Sequence, residues 1–302
     1  MQSADFLSAV FFYLKVGENL NQNWIVENLN NAFSTWNGKL GELWGLVTTG
    51  PQTFKGGAVW SVMQTLHNGM VGIGYALVVL FFAISLCKNT MNFHELKRPE
   101  AAIHYFLRFV AAKALVGYGM DIMLNVFSIC NGIVTDMADS MGGISEAMVS
   151  LPAEMQTAIE NVGFLASIPL WLVTILGSLF ITVLSFVMIL TVYGRFFRLY
   201  MYTALAPLPL AAFAGESTQS VGISFLKSYV GVCLEGAVIV LACVIYSAFV
   251  STPTVASGEA TTIVWSYLAE TVFNMLVLVG LIKGSDRIIH EMMGLEYANS
   301  NK

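Results

Sequence analysis

Residues 168–192, IPLWLVTILGSLFITVLSFVMILTV, carry no charged side chain and decide the class of the protein. The uncharged run around them is longer still, because the nearest charged residues are Glu160 on one side and Arg195 on the other. A helix of about 20 predominantly apolar residues is long enough to cross the hydrocarbon core of a bilayer. The stretch therefore predicts a membrane-spanning helix.

The whole chain shares this character. Of its 302 residues only 14 are Lys or Arg and 19 are Asp or Glu, which is 11% charged, whereas a soluble domain carries about 25%. Hydrophobic residues make up 56%, and the mean hydropathy is +0.70. This composition excludes a soluble enzyme, and a net charge of −5 without a basic block excludes a nucleic-acid-binding module. We predict an all-α, polytopic membrane protein.

About five spans are expected. Besides 168–192, four segments have the required length and apolar character, namely residues 69–87, 114–134, 229–250 and 263–282. They define a transmembrane domain over residues 68–290. An amphipathic region outside the membrane (1–67) precedes this domain, and a short cytoplasmic tail (291–302) follows it.

Two segments between the spans have their own character. Residues 92–112 mix charged and apolar side chains, which predicts an amphipathic helix lying in the membrane interface. Pro99 suits the first turn of such a helix, because its missing N–H has no intrahelical partner there. Residues 135–161 contain five acids and no Lys or Arg, and we expect them to form an outer loop.

The placement of the cations predicts the orientation. Nine of the fourteen Lys and Arg residues fall in segments 88–102, 195–227 and 283–302, while segments 135–161 and 251–262 have none. Cytoplasmic loops are enriched in Lys and Arg. We therefore expect an N-terminus outside the cell membrane and a C-terminus in the cytoplasm.

The segment YGRFFRLYMYTALAPLPLAAFAG, residues 193–215, is the most specific part of the sequence. Arg195 and Arg198 are one helical turn apart, which predicts that they lie together on the cytoplasmic rim. Pro207 and Pro209 interrupt the helical hydrogen-bond ladder. The segment is interpreted either as a kinked packing helix or as a flexible, gating element beside a central path.

The same segment decides between five and six spans. If residues 199–215 crossed the membrane, the cation-free loop 251–262 would be cytoplasmic, and Lys283 and Arg287 would be outside. If the chain dips into the membrane and returns over residues 199–226, the loops follow the charge rule. We therefore predict a re-entrant segment, which requires that protein or a water cavity covers its backbone.

Three acids fall inside predicted spans, where a charged group is costly and marks a functional candidate. They are Asp121, Glu235 and Glu270. Each has two open interpretations. The carboxyl group either lines an aqueous path or an assembly contact, or it pairs with a neighbour solely to fix the packing.

Signatures of catalysis are missing from the sequence. The four cysteines and four histidines lack metal-ligand spacing, and there is no CxxC. Gly38-Lys39 is followed by Leu40 rather than Ser or Thr, so the phosphate-binding loop motif is missing as well. We expect no catalytic residue, no metal site and no cofactor, and hence no enzyme.

Residues 195–215, continued by GISFLKSY (222–229) and CLEGA (233–237), resemble the TrbL family of polytopic channel components of conjugative type IV secretion systems. The resemblance is to the branch found on conjugative transposons of Gram-positive bacteria, and it is strongest over residues 165–290. The first 67 residues are similar only in being an amphipathic outer region.

The resemblance implies a subunit that helps form the passage for single-stranded DNA with its attached relaxase. It also implies a homo-oligomer in the bilayer that works beside cytoplasmic ATPases and a coupling protein. Two alternatives stay open from the sequence: a small-solute or ion transporter or channel, and a non-conducting assembly scaffold of the secretion machine.

Overall fold

The structure is a computed structural model that describes residues 2–90, 99–140, 148–162, 164–249 and 260–294. Parts of several predictions fall outside these ranges. They are the start of the interfacial helix (92–98), part of the acidic outer loop (141–147), most of the cation-free loop (251–259) and the end of the tail (295–302).

The described residues form nine α-helices joined by turns and two short 3-10 helices, Phe54–Gly57 and Ala212–Ala214. The α-helices are α1 Gln2–Thr48, α2 Ala58–Thr90, α3 Pro99–Gly117, α4 Gly119–Ser140, α5 Ala153–Glu160, α6 Phe164–Leu205, α7 Pro207–Ala211, α8 Gln219–Phe249 and α9 Ala260–Met292. The predicted all-α class is confirmed.

Four helical segments of the described chain are long and apolar enough to cross a membrane: Phe54–Lys88, Ser167–Leu205, Gln219–Ala248 and Thr262–Met292. Helices α3 and α4 form a fifth candidate if the bent pair counts as one span. The protein is therefore a polytopic membrane protein with four or five candidate spans. The sidedness of its termini and the re-entry of residues 199–226 stay predictions.

The bend between α3 and α4 is 72° and falls at Tyr118. Glycines flank this residue, and both allow a neighbour to come close. A Cβ on Gly117 would lie 2.7 Å from the hydroxyl of Tyr75, and one on Gly119 would lie 3.2 Å from Leu210. The helix that begins at Pro99, as its sequence predicts, thus continues to Gly117, beyond the expected end of the interfacial helix at residue 112.

The chain divides into two compact units. Unit 1 contains residues 1–45, 141–191 and 241–283, and unit 2 contains residues 46–140, 192–240 and 284–302.

Unit 1 is built around one face of α1. Apolar residues three or four positions apart lie on one side of a helix, and in α1 this side is buried over seven positions: Ile25, Leu29, Phe33, Trp36, Leu40 and Leu43, with Ala32 beside them. The ring of Phe33 meets the edge of Tyr267 of α9, with centroids 6.5 Å apart. Helix α1 is therefore an integral part of this unit.

Unit 2 has a core contributed by α2, α3, α4, α6, α7 and α8. Its buried members include Val78, Val116, Phe127, Leu199, Leu210 and Val232. The short helix α7 packs against α2 and α3. Gly74 of α2 makes this possible, because a Cβ there would lie 2.9 Å from the carbonyl oxygen of Pro207.

Candidate functional site

The hydrogen-bond ladder of α6 is interrupted at the two prolines, although the backbone between α6 and α7 stays close to helical. Ala206 has φ −49° and ψ −39°, which are helical values. In a continuous helix the N–H of residue 207 would bond to the carbonyl of Thr203, but Pro207 has no N–H. The buried side chain of His67 takes over this role, since its Nδ1 lies 2.7 Å from the Thr203 oxygen. Because a carbonyl only accepts, Nδ1 carries the proton.

Polar contacts also cover the chain that follows α7. Arg108 of α3 donates from Nε to the carbonyl of Phe213 at 3.1 Å and from Nη2 to the side-chain oxygen of Gln219. The Thr218 hydroxyl donates to the carbonyl of Ala212 at 2.7 Å. Backbone acceptors of an irregular segment that lies at membrane depth must be satisfied by protein or water. The carbonyls of Ala212 and Phe213 are satisfied in this way by the side chains of Thr218 and Arg108.

Arg195 is completely buried, and its guanidinium group binds three main-chain carbonyls. Nε donates to Val232 at 3.2 Å, Nη2 to Cys233 at 3.0 Å and Nη1 to Val47 at 3.3 Å. A buried cation is tolerated only when hydrogen bonds and a counter-charge compensate for the lost hydration. The charge of Glu235 acts favourably on it, and the carbonyl dipoles supply the direct contacts.

Gly236 of α8 provides the space for this guanidinium group. A Cβ at position 236 would lie 2.8 Å from both terminal nitrogens of Arg195 and 2.9 Å from its Cζ. The CLEGA segment thus combines two roles in consecutive residues. Glu235 supplies charge, and Gly236 allows the arginine to approach the helix backbone.

Arg198 points to a different partner. Its Nη2 lies 2.6 Å and 2.5 Å from the two carboxylate oxygens of Glu235, a residue that is only 1% exposed. The hydroxyl of Ser285 donates to the same carboxylate at 3.2 Å, and Asp286 of α9 lies 3.8 Å from Arg198. We call Arg195, Arg198, Glu235, Ser285 and Asp286 the polar network.

The network ties three helices together within unit 2. Arg195 and Arg198 belong to α6, Glu235 to α8, and Ser285 and Asp286 to α9. The expectation that the two arginines lie together on a rim does not describe Arg195, which is buried among carbonyls and shares no hydrogen-bond partner with Arg198 in the contacts above. The two arginines stay one turn apart on α6, but their guanidinium groups bind different acceptors.

Asp121 lies in the first turn of α4, on the wall of a polar recess of about 530 Å³. The turn Gly50–Gln52 forms the facing wall, and Asn125, Ser128 and Asn131 extend the recess along α4. Asn131 donates from Nδ2 to the carbonyl of Thr48 at 3.2 Å. An acid in the first turn of a helix interacts favourably with the helix dipole.

Glu270 lies in unit 1, on an exposed face of α9. The nearby Tyr267 turns inward instead, and its hydroxyl donates to the carbonyl of Ser150 at 3.0 Å. Of the three acids in predicted spans, Glu235 is thus buried in an ion pair, while Asp121 and Glu270 are exposed.

The sequence identifies four of the residues that meet near the end of α6, Arg195, Arg198, Glu235 and Pro207, but misses their partners. His67 reads there as an ordinary histidine, although it is a polar residue near the centre of an uncharged run between Lys55 and Lys88. Pro209 is half-buried in α7. Among the described residues, no group of three or more His, Cys, Asp or Glu side chains is placed to hold a metal ion. The chemistry of these contacts is that of positioning and charge compensation.

A family model described as TrbL/VirB6 plasmid conjugal transfer like protein matches residues 36–207. The match covers more than half of the chain, from the last third of α1 to the first residue of α7. It includes part of the N-terminal region, which the motifs relate only loosely to such proteins, and it stops at Pro207. A search among curated proteins found no match, and neither did a search among solved structures.

Proposed function

The chain belongs to the TrbL/VirB6 family of plasmid conjugal transfer-like proteins, and from this premise we propose that it is a channel subunit of a conjugative type IV secretion system. As a member of this family it is a multi-pass membrane component of conjugal transfer. The finer proposal is that it helps form the passage for single-stranded DNA and the attached relaxase, with its N-terminus outside and its C-terminus in the cytoplasm.

The observation that carries the proposal is the position of the family match. Residues 36–207 contain the candidate spans Phe54–Lys88 and Ser167–Leu205 and the bent pair α3–α4. The similarity therefore lies in the membrane-embedded part rather than in a soluble appendage. A protein that resembles its family in the membrane-embedded region is suited to act on the substrate that crosses the membrane.

The partners follow from the same proposal. The sequence has no phosphate-binding loop motif, so the energy for transfer has to come from cytoplasmic ATPases, with a coupling protein delivering the substrate. A passage wide enough for DNA requires several helices around a common axis, and we therefore propose a homo-oligomer. The role is non-catalytic.

Deletion of the gene in a conjugative donor, with the remaining transfer genes intact, tests the proposal. We expect transconjugants per donor to fall to the detection limit and to recover when the chain is supplied in trans. Unchanged transfer would refute the proposal. Purified protein in lipid vesicles should show no concentrative uptake of small solutes, whereas such uptake would support the transporter alternative.

Crosslinking separates a passage from a scaffold. A photoreactive residue placed at Leu205, an exposed position beside Pro207, or at the exposed Glu270 should capture transferring DNA if these positions face the substrate. The matched control is a position buried in the core, such as Val116. Failure at both test positions while transfer is active would favour the scaffold.

A further inference from the structure

Helix α1 lies parallel to α6 within unit 1. The rings of Trp24 and Trp171 are 5.6 Å apart, and Asn28 donates from Nδ2 to the hydroxyl of Ser178 at 3.1 Å. Further along, the ammonium group of Lys39 lies 5.9 Å from the ring centroid of Phe186. Residue numbers rise together along both helices, so the two helices run in the same direction for about four turns.

This part of α6 has the surface of a lipid-facing helix. Its exposed side chains are large and apolar, with exposures between 46% and 68%: Leu172, Leu176, Leu179, Phe180, Val183, Phe186 and Leu190. Such a continuous apolar face suits acyl chains rather than water. Because this apolar face lies at the depth of the acyl chains, the stretch of α1 beside it lies at the same depth.

The exposed face of α1 has the opposite character. After the exposed Trp24, its exposed positions follow helical spacing and carry polar side chains or none, namely Glu27, Asn30, Asn31, Ser34, Gly38, Gly41 and Gly45. We call these residues the α1 stripe. Placing polar groups without partners against hydrocarbon costs several kcal/mol for each group, of the order of 2–7. The α1 stripe therefore requires water or another polar surface at the depth of the apolar part of α6.

A recess beside the stripe has room for water. Asn28, Asn31 and Thr35 of α1 and Ser178 and Thr182 of α6 line an open space of about 440 Å³, together with the apolar side chains of Trp24, Ala32, Ile175 and Leu179. A water molecule occupies roughly 30 Å³ in the liquid and needs two to four polar partners, and this recess offers both the volume and the partners. The adjacent ion pair between Lys39 and Glu42, at 2.6 Å with both side chains about one-third exposed, is likewise suited to an aqueous boundary.

We propose that residues 24–45 line the aqueous passage, with the α1 stripe facing its lumen. This inference rests on the proposed channel function and names the surface that forms the wall. The lining combines amides, a hydroxyl and glycine backbone, and the three charges near it are Glu27, Lys39 and Glu42. Binding of a polyanion rises with the number of Lys and Arg contacts to its phosphates. A lining with two Glu and one Lys among neutral polar groups therefore lets an extended polyanion pass without being held. The proposed passage also places residues 24–45 at bilayer depth, whereas the sequence pattern assigns all of residues 1–67 to the outside.

Cysteine accessibility in intact donor cells tests the proposal. Single cysteines are introduced on the stripe as Asn30→Cys, Ser34→Cys and Gly41→Cys, in the full-length chain with the exposed Cys87 replaced by Ser. An added Cβ at Gly41 meets no atom within 4 Å, so this variant tests the stripe even if another accumulates poorly. The matched controls are Val183→Cys on the apolar face of α6 and Leu29→Cys on the buried face of α1.

The reagent is a charged, membrane-impermeant thiol reagent, and the readouts are the labelling rate and the transfer frequency. Only the thiolate reacts, and apolar surroundings suppress it, so we expect the stripe variants to react at least about tenfold faster than both controls. Labelling of Ser34→Cys should also lower transfer at least about tenfold, since it narrows a path for a substrate as wide as a DNA strand.

Three results would overturn the proposal. Stripe cysteines that stay unlabelled while Ser140→Cys reacts would mean that lipid or protein covers the stripe, and disulfide formation between two Ser34→Cys chains would identify a second copy as the cover. Equal labelling of Val183→Cys would mean that this level is not in the membrane. These results leave the deletion test unaffected. Conversely, a labelled stripe in a chain whose deletion leaves transfer intact would refute the proposed function but not the water-lined face.

Discussion

The contact between His67 and Thr203 makes a quantitative prediction. Replacing His67 by Ala leaves the Thr203 carbonyl without a donor, because Pro207 supplies none. An unsatisfied buried acceptor costs about 1–3 kcal/mol, while hydrogen bonds between membrane helices average about 0.6 and reach about 1.7 kcal/mol. We expect the lost hydrogen bond to account for about 1–2 kcal/mol of destabilisation, in addition to the cost of the cavity left by the imidazole.

A double-mutant cycle isolates the hydrogen bond from the cavity. Pro207→Ala restores an N–H at the position where a continuous helix would satisfy Thr203, and the helical dihedral angles of Ala206 keep this geometry within reach. In the Pro207→Ala background, His67→Ala should therefore be less destabilising by about 1 kcal/mol. Pro209→Ala is the matched control, because an N–H at residue 209 would bond to the carbonyl of Leu205 and leave Thr203 unsatisfied.

The assay is reversible unfolding in mixed micelles or bicelles, followed by far-ultraviolet circular dichroism, for the wild type, the three single variants and the two double variants. The decisive comparison is between the loss of unfolding free energy caused by His67→Ala in the chain with Pro207 and the loss that it causes in the Pro207→Ala chain. If His67→Ala costs the same with and without Pro207, within the roughly 0.3–0.5 kcal/mol expected of independent sites, the histidine does not replace the missing helical donor and the reasoning fails.

Three further predictions concern the polar network and the topology. Glu235→Ala should destabilise the protein by about 3 kcal/mol or more, because it removes the counter-charge of the completely buried Arg195 and the carboxylate that Arg198 binds. Arg287→Ala, which breaks the exposed pair with Glu291, should cost less than about 1 kcal/mol in the same unfolding assay. Gly236→Ala should cost about 1–3 kcal/mol by forcing Arg195 away from its carbonyls, whereas Gly280→Ala, where an added Cβ meets no atom within 4 Å, should leave the unfolding midpoint unchanged or slightly raised. For the topology, Ser140→Cys should react with an impermeant thiol reagent from outside and Glu216→Cys should not; outside labelling of Glu216→Cys would favour a sixth span over re-entry.

Sequence pattern predicts what is local in this protein. The apolar run around residues 168–192 gives α6 its class, Pro99 marks the start of α3, and Pro207 marks the interruption of α6. Each of these depends on backbone chemistry within a few residues, such as the N–H that proline lacks. The spacing of apolar residues in α1 likewise indicates an amphipathic helix, although not the surface that it covers.

Contacts between distant residues escape the same reasoning. Arg198 and Glu235 are 37 positions apart, and Arg195 reaches Val47 over 148 positions. Their pairing depends on how the helices pack, which one sequence does not determine. Gly236 is the sequence feature that comes closest to predicting such a contact, because a glycine next to an acid in an apolar helix indicates close approach by another group.

The contacts near the end of α6 share one physical feature. Where Pro207 removes a backbone donor, the side chain of His67 supplies one, and the polar network holds α6 to α8 and α9 through side chains as well. A buried ion pair contributes little net stability compared with apolar packing, because both ions lose their hydration. Such a pair does, however, fix which carboxylate an arginine can face, and it can be exchanged for another pairing with few bonds broken. If a continuous helix were displaced at this point instead, its backbone hydrogen bonds would break at several residues. A displacement at the end of α6 therefore breaks no backbone hydrogen bond from residue 207 to Thr203, because Pro207 has no N–H, and the contacts that it has to break include those of His67 and Glu235.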